Sequence, residues 1–166
     1  TPGTKKIMVG GAIASDVHGK NHHIDGSFGN HIKRLLIIDG KGQKKELTPL
    51  NKDNKEISNQ FWATIGGMGL TGIIIEATFK IIQISTSFIK VDTRRFEEIN
   101  DLMEAMIEAD KSYKYSVAWI DSLSIKGRGV LSCGNHANIE DIKPESKVNP
   151  LDIDLDSLTN APEYMP

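Results

Sequence analysis

The most constraining stretch of this chain runs from Ile73 to Ile84, where apolar and polar side chains alternate. Ile75, Ala77, Phe79 and Ile81 fall on one side, and Glu76, Thr78 and Lys80 on the other. Successive side chains of a strand point to opposite faces, so this period of two predicts a half-buried strand. The cluster Gly66-Gly67-Met68-Gly69 stands just before it and must end whatever helix precedes. That helix is predicted from a cap at Asp53 or Asn54, with Ile57 and Phe61 sharing a face at i, i+4.

Upstream, Lys33 to Leu47 reads as a hairpin. Leu35 to Ile38 form one strand, Asp39-Gly40-Lys41-Gly42 the turn, and Gln43 to Leu47 the return, before Thr48-Pro49 breaks the chain. Gly10 to His18 reads as a short helix opened by small residues.

A second unit is expected from Ser85. Phe88 to Val91 suggest a strand, and Phe96, Ile99, Leu102, Met103, Met106 and Ile107 follow helical spacing with acids between them. That Met-bearing stripe is read as core. Tyr113, Tyr115, Val117 and Trp119 alternate as a strand, and Gly129 to Cys133 pairs with it across Ser124–Arg128. Strand, helix, strand, strand is the order of the first half of a ferredoxin-like layer. The fold class is therefore α+β. After Asn135 the chain turns polar and Pro-interrupted, and residues 135–166 are expected to form a loosely docked or flexible tail.

Composition excludes several function classes. A net charge of −2 gives no global field to draw in nucleic acid. No apolar run approaches the roughly 18 residues of a membrane span. The single cysteine, Cys133, rules out an internal disulfide. The start, Thr1-Pro2-Gly3-Thr4-Lys5-Lys6, is no signal peptide and reads as an internal cut from a longer protein.

Chemistry is concentrated in Val9-Gly10-Gly11-Ala12-Ile13-Ala14-Ser15-Asp16-Val17-His18-Gly19-Lys20-Asn21-His22-His23 and in Gly26-Ser27-Phe28-Gly29-Asn30-His31. Paired glycines at a helix start leave backbone N–H groups bare and let a ligand approach closely. The helix dipole there favours an anion such as a pyrophosphate. A tight turn is the plainer reading of the same pair. His18, His22 and His23 invite a metal, but Lys20 lies among them and no second Cys or carboxylate stands at ligand spacing, so no metal is expected. Ser15, Asp16 and His18 are adjacent, whereas hydrolytic triads are assembled from distant positions. Hydrogen bonding of these histidines to backbone, or nucleotide or sugar binding by the loop without flavin, stays open on the residues alone.

The run from Pro2-Gly3-Thr4 through Gly10-Gly11-Ala12-Ile13-Ala14 and Asp16–His23 to Gly26–His31 resembles the FAD-linked oxidases of the vanillyl-alcohol-oxidase type, whose FAD-binding domain is of the PCMH type. Leu47-Thr48-Pro49, Phe61–Ile74 and Ser116-Val117-Ala118-Trp119-Ile120-Asp121 continue the likeness in order.

The resemblance implies the second half of such an FAD-binding domain over residues 1–84, with an antiparallel sheet and helices. The beginning of a ferredoxin-like substrate domain would follow over 85–134. It places Gly3, Met8, Val9, Gly10, Gly11, Ser15, Asp16, Val17, His18 and Ile74 along a noncovalently held FAD, and His18 and Lys20 near the reacting ring and substrate. Ser15 stands where the family leads one to expect Cys, and Met68 where it leads one to expect Asn. The family's glycine-rich phosphate loop and the Lys and Tyr of its later substrate domain have no counterpart in this sequence, so this stretch alone is expected to hold FAD weakly or not at all. The implied reaction is oxidation of a sugar or polyol hydroxyl, with a lipid-linked sugar as substrate and a short-chain reductase as partner. The implied setting is cytoplasmic or peripheral to a membrane.

Overall fold

The computed structural model describes residues 7–153. In chain order the elements are α1 (Val9–Ala14), α2 (His22–Asp25), β1 (Ile32–Ile38), β2 (Lys44–Leu47), α3 (Lys55–Thr64), β3 (Ile73–Phe79), β4 (Ile89–Phe96), α4 (Ile99–Ala109), β5 (Tyr115–Ile120) and β6 (Gly129–His136). They form an α+β arrangement with two three-stranded sheets, ordered β2-β1-β3 and β4-β6-β5, in which every hydrogen-bonded pair is antiparallel.

The first sheet is built on β1. Its hairpin with β2 turns where expected, with the Asp39 carboxylate accepting from the Lys41 and Gln43 amides, each at 2.9 Å. A bulge at Lys33 spaces the buried residues as Ile32, Leu35 and Ile37 instead of every second position. α3 starts at the predicted cap, where the Asn54 side chain accepts from the Glu56 amide at 3.0 Å. Ile57 and Phe61 face inward as their spacing requires, and Phe61 is fully buried with Ile13, Ile32, Leu35, Ile37 and Leu47. The helix stops at the glycine cluster. A Cβ on Gly67 would lie 2.3 Å from the Ala63 carbonyl oxygen, so no larger residue fits that turn.

The strand predicted over Ile73–Ile84 is shorter and differently phased. It ends at Phe79, and Ile81 and Ile82 beyond it are exposed. Leu36 pairs with Glu76 while Ile37 pairs with Ile74, which leaves Ile75 as the extra residue of a bulge. The bulge puts Ile74 and Ala77 on the inward face, where they pack on the core, and turns Ile75 outward. Phe79, opposite the buried Ile32, keeps the inward face at the sheet's end and packs against Phe28.

In the second sheet, β4 and β5 both pair antiparallel with the central β6, and α4 makes the crossover between them. This is the expected strand, helix, strand, strand order. The helix seam differs from the predicted stripe. Leu102, Ala105, Met106 and Ala109, spaced i, i+3, i+4, i+7, line the buried side, while Met103 and Ile107 are exposed. Two alanines on the seam bring the helix close to Leu131, Cys133 and Ala118. β5 likewise turns Ser116 and Ala118, not Val117 and Trp119, toward the helix side, and Trp119 is 69% exposed.

The polar stretch after Asn135 lies against the rest of the fold as far as residue 153. Asn135 and His136 complete β6, Ala137 and Ile142 are buried, and the Thr86 hydroxyl donates to the Ala137 carbonyl at 2.8 Å. The Ser87 amide donates to the Pro150 carbonyl at 2.8 Å. Few apolar residues suffice here because backbone groups find partners on the irregular segment connecting the sheets. Leu155 and Leu158 of the expected tail lie outside the described residues.

Candidate functional site at the seam of the two sheets

The histidine-rich run forms the bridge between the two sheets. After α1 the chain turns at Asp16, whose φ of 42° is left-handed and tolerated by Asp better than by most residues. The Asp16 carboxylate accepts from the Gly29 amide at 2.8 Å, and the Phe28 amide donates to the Val17 carbonyl at 2.9 Å. These bonds pinch off residues 16–29 as a closed loop. Gly29 is obligatory at its base, because a Cβ there would meet the Ile65 side chain at 2.4 Å. The second glycine cluster closes on the same helix, with the Gly66 amide donating to the Ile13 carbonyl at 3.0 Å and the Met68 amide to the Ala14 carbonyl at 2.8 Å.

The tip of the loop docks on the second sheet. The Ser116 amide, on the free edge of β5, donates to the Lys20 carbonyl at 2.9 Å. His23 Nε2 lies 3.0 Å from the Tyr113 carbonyl, which can only accept, so that nitrogen carries the proton. The Lys114 ammonium stands 3.3 Å from the Asp25 carboxylate. The Asn21 amide at 2.7 Å, with Lys114 second, holds the Asp25 carboxyl below its ordinary range.

Between loop and sheet lies an open cavity of about 350 Å³. His18, Lys20 and His22 line it from the loop, and Asp110, Ser116 and Val117 from the second layer. His18 and Lys20, singled out from sequence, thus share one cavity. The His18 and His22 rings stand 5.3 Å apart between centroids, while His23 is turned to Tyr113 and His31 to the Asp25 carbonyl at 3.1 Å. Among the described residues no group of three His, Cys, Asp or Glu side chains gathers to hold a metal ion.

The residues expected along a cofactor fall into two sets. Met8, Val9, Gly10, Gly11 and Ser15 are exposed, and a Cβ added at Gly10 or Gly11 would meet nothing within 4 Å. The first turn of α1 receives no side-chain cap, so its amides face outward unpartnered by any cap. α1 is only six residues long, which makes its dipole short; openness, not a macrodipole, is what the glycine pair provides. Asp16 and Ile74 are held differently, the first on the Gly29 amide and the second packed against the core, and Val17 is half-buried. Gly3 lies outside the described residues.

Asp110 and Ser116 were not singled out as site residues from sequence, although Ser116 opens one of the runs that carry the resemblance. The Ser116 hydroxyl donates to Asp110 Oδ1 at 2.6 Å, and His23 Nε2 stands 3.6 Å from the same oxygen. A serine, an aspartate and a histidine meet here, yet not as a hydrolytic triad. The serine donates to the aspartate and the histidine to a carbonyl, so the imidazole does not take the hydroxyl proton as it does in a triad. The one sequence signal was Asp110 itself, an acid at the C-terminal end of a helix.

No family model matches the chain. Comparison with curated proteins shows that it is similar to an oxidase along nearly its whole length. That protein is the decaprenylphosphoryl-beta-D-ribose oxidase of Mycolicibacterium smegmatis, 36% identical over 169 aligned residues that take in 99% of this chain and 36% of the oxidase. An uncharacterized protein of the mprA 5′ region of Streptomyces coelicolor is 35% identical over 156 residues, covering 90% of this chain and 40% of that protein. The chain is thus a relative of the oxidase, and spans less than half the length of either protein.

Proposed function

We propose that this chain is part of an FAD-dependent oxidoreductase that oxidises a sugar or polyol hydroxyl, with a polyprenylphosphoryl ribose as substrate. Residues 1–84 are read as the later part of a PCMH-type FAD-binding domain and 85–134 as the start of the substrate domain. The observation that carries the reading is the seam cavity, in which His18 and Lys20 face the second layer. Similarity to an oxidase whose name specifies a lipid-linked ribose supplies the reaction class.

The residues present fit a flavin. Gly10 and Gly11 offer a bare, uncapped backbone surface on which a flat, oxygen-rich molecule can lie without meeting a side chain. When bound, FAD supplies a hydride acceptor for the carbinol C–H. His18 orients the substrate at the mouth of the cavity, and the Lys20 ammonium stabilises negative charge on the ring or holds the substrate's phosphate. Docking of the loop on β5 keeps the two side chains in register and narrows water access. The base that takes the hydroxyl proton is assigned to residues outside this stretch, and a short-chain reductase is the reading for the enzyme that consumes the product.

The test is spectroscopic. The protein carrying this chain is purified, its visible flavin band recorded, and polyprenylphosphoryl ribose added without oxygen. The band is expected to bleach, and the cofactor to leave freely on denaturation because it is not covalently held. A colourless protein that FAD does not reconstitute overturns the proposal.

A further inference from the structure

Resting on the oxidoreductase reading, we propose that Asp110 is a positioning residue that sets the Lys20 and His18 side chains through Ser116 and His23.

Asp110 breaks a local rule. It is the C-cap of the 11-residue α4, where the helix dipole favours a cation, and the last turn carries no basic residue. Its amide is used by the helix, donating to the Met106 carbonyl at 2.9 Å, so its backbone is fixed. Acids retained against local preference mark sites where tertiary structure uses them. Here the use is visible. The carboxylate fixes the Ser116 hydroxyl at 2.6 Å and stands 3.6 Å from His23 Nε2, with 29% of its side chain exposed, on the cavity side. Ser116 is buried, and its amide holds the Lys20 carbonyl. His23 holds the same loop through Tyr113. One carboxylate therefore lies at the end of α4, on the edge of β5 and beside two of the three anchors, Ser116 and His23, of the loop that bears His18 and Lys20. Removing it frees the Ser116 side chain, uncouples His23, and loosens the loop backbone at Lys20 without touching the glycine pair.

The experiment compares Asp110→Ala, Asp110→Asn and Ser116→Ala with the parent in the flavin-loaded protein, and Glu108→Ala on the same helix turn is the control. Two quantities are read: exchange of the Ser116 amide hydrogen, and the anaerobic rate of flavin reduction. Asp110→Ala is expected to speed exchange at Ser116 by about tenfold or more and to slow reduction by a similar factor, with flavin content and melting temperature held. Asp110→Asn still accepts from Ser116 and is expected to recover most of the protection and part of the rate. It also keeps the comparison open if Asp110→Ala does not fold. Unchanged exchange and an unchanged reduction rate in both Asp110 variants overturn the positioning role. A parent protein that neither holds nor reduces flavin overturns the oxidoreductase reading instead, and the exchange measurement still decides whether Asp110 orders the loop.

Discussion

The two sheets are of equal strand number but unequal completeness. The first closes a core of six buried apolar residues, Ile13, Ile32, Leu35, Ile37, Leu47 and Phe61, contributed by two helices and two strands. The second rests on fewer and smaller ones, Leu102, Ala109, Leu131 and Cys133, and its face opposite α4 leaves Trp119 and Val91 exposed. The lesson lies in where the chemistry sits. Neither core holds it; the cavity with His18 and Lys20 belongs to the seam, formed by a polar loop of the better-packed half docked on the edge strand of the other. Loops carry function when a rigid scaffold positions them, and here two scaffolds do so.

That contrast can be broken by truncating each core. Phe61→Ala empties the centre of the first sheet and is expected to cost about 3–5 kcal/mol, because so large a void under a bulged sheet cannot close. Leu131→Ala in the thinner core is expected to cost about 2–3 kcal/mol, the low end for Leu, since one side of that sheet is free to relax. Urea unfolding of both variants checks the order. A larger loss at Leu131 than at Phe61 would reverse the account of which half is better built.

Acid sharpens the comparison. His136 lies half-buried at the end of β6, with Nε2 2.8 Å from the Tyr115 hydroxyl and Nδ1 buried without a partner among the described residues. Burial, with Lys114 second, pushes its imidazole below the ordinary 6.5. The unfolded chain then binds the proton more readily than the folded one. Stability is expected to fall as the pH drops through 6.5 and to level off once the pH lies below the folded value. His136→Gln should flatten that decline. A melting temperature that keeps the same slope in the variant removes His136 as its source.

The smallest effect concerns the glycine cluster. Met68 sits at a φ of 52°, a left-handed conformation that Asn adopts more readily than Met. The resemblance to FAD-linked oxidases leads one to expect Asn there, and the backbone supplies the reason. Met68→Asn is expected to stabilise by about 0.5–1 kcal/mol, part of the left-handed penalty. A melting temperature that falls would show that the exposed Met side chain contributes more than its backbone costs.

Local chemistry was legible in the sequence wherever a residue acted on its own neighbours. The Asn54 cap, the Asp39 turn, the glycine stop after α3 and the order of elements in the second layer all followed from short-range rules. Failures came where pairing with another strand decided the outcome. The bulge at Ile75 is set by the register with β1, so alternation alone pointed Ile75 inward while Ala77 and Phe79 kept the expected face. Ala105 and Ala109 draw α4 onto β6 and rotate the seam away from Met103 and Ile107, which a hydrophobicity stripe ranks higher. The docked stretch before residue 153 is held by backbone hydrogen bonds that composition does not register. Of the site, His18 and Lys20 were visible as a motif. Asp110 and Ser116 were not, because they reach the cavity only through the β4-β6-β5 topology.

The most direct measurement is the rate at which bound flavin is reduced by polyprenylphosphoryl ribose in stopped flow, for the parent protein and for His18→Ala and Lys20→Ala. With flavin supplied at saturation, both variants should reduce it about 100-fold more slowly, a loss of roughly 2.7 kcal/mol in transition-state stabilisation. Flavin reduced at the parental rate in both variants would contradict the placement of the chemistry at the seam.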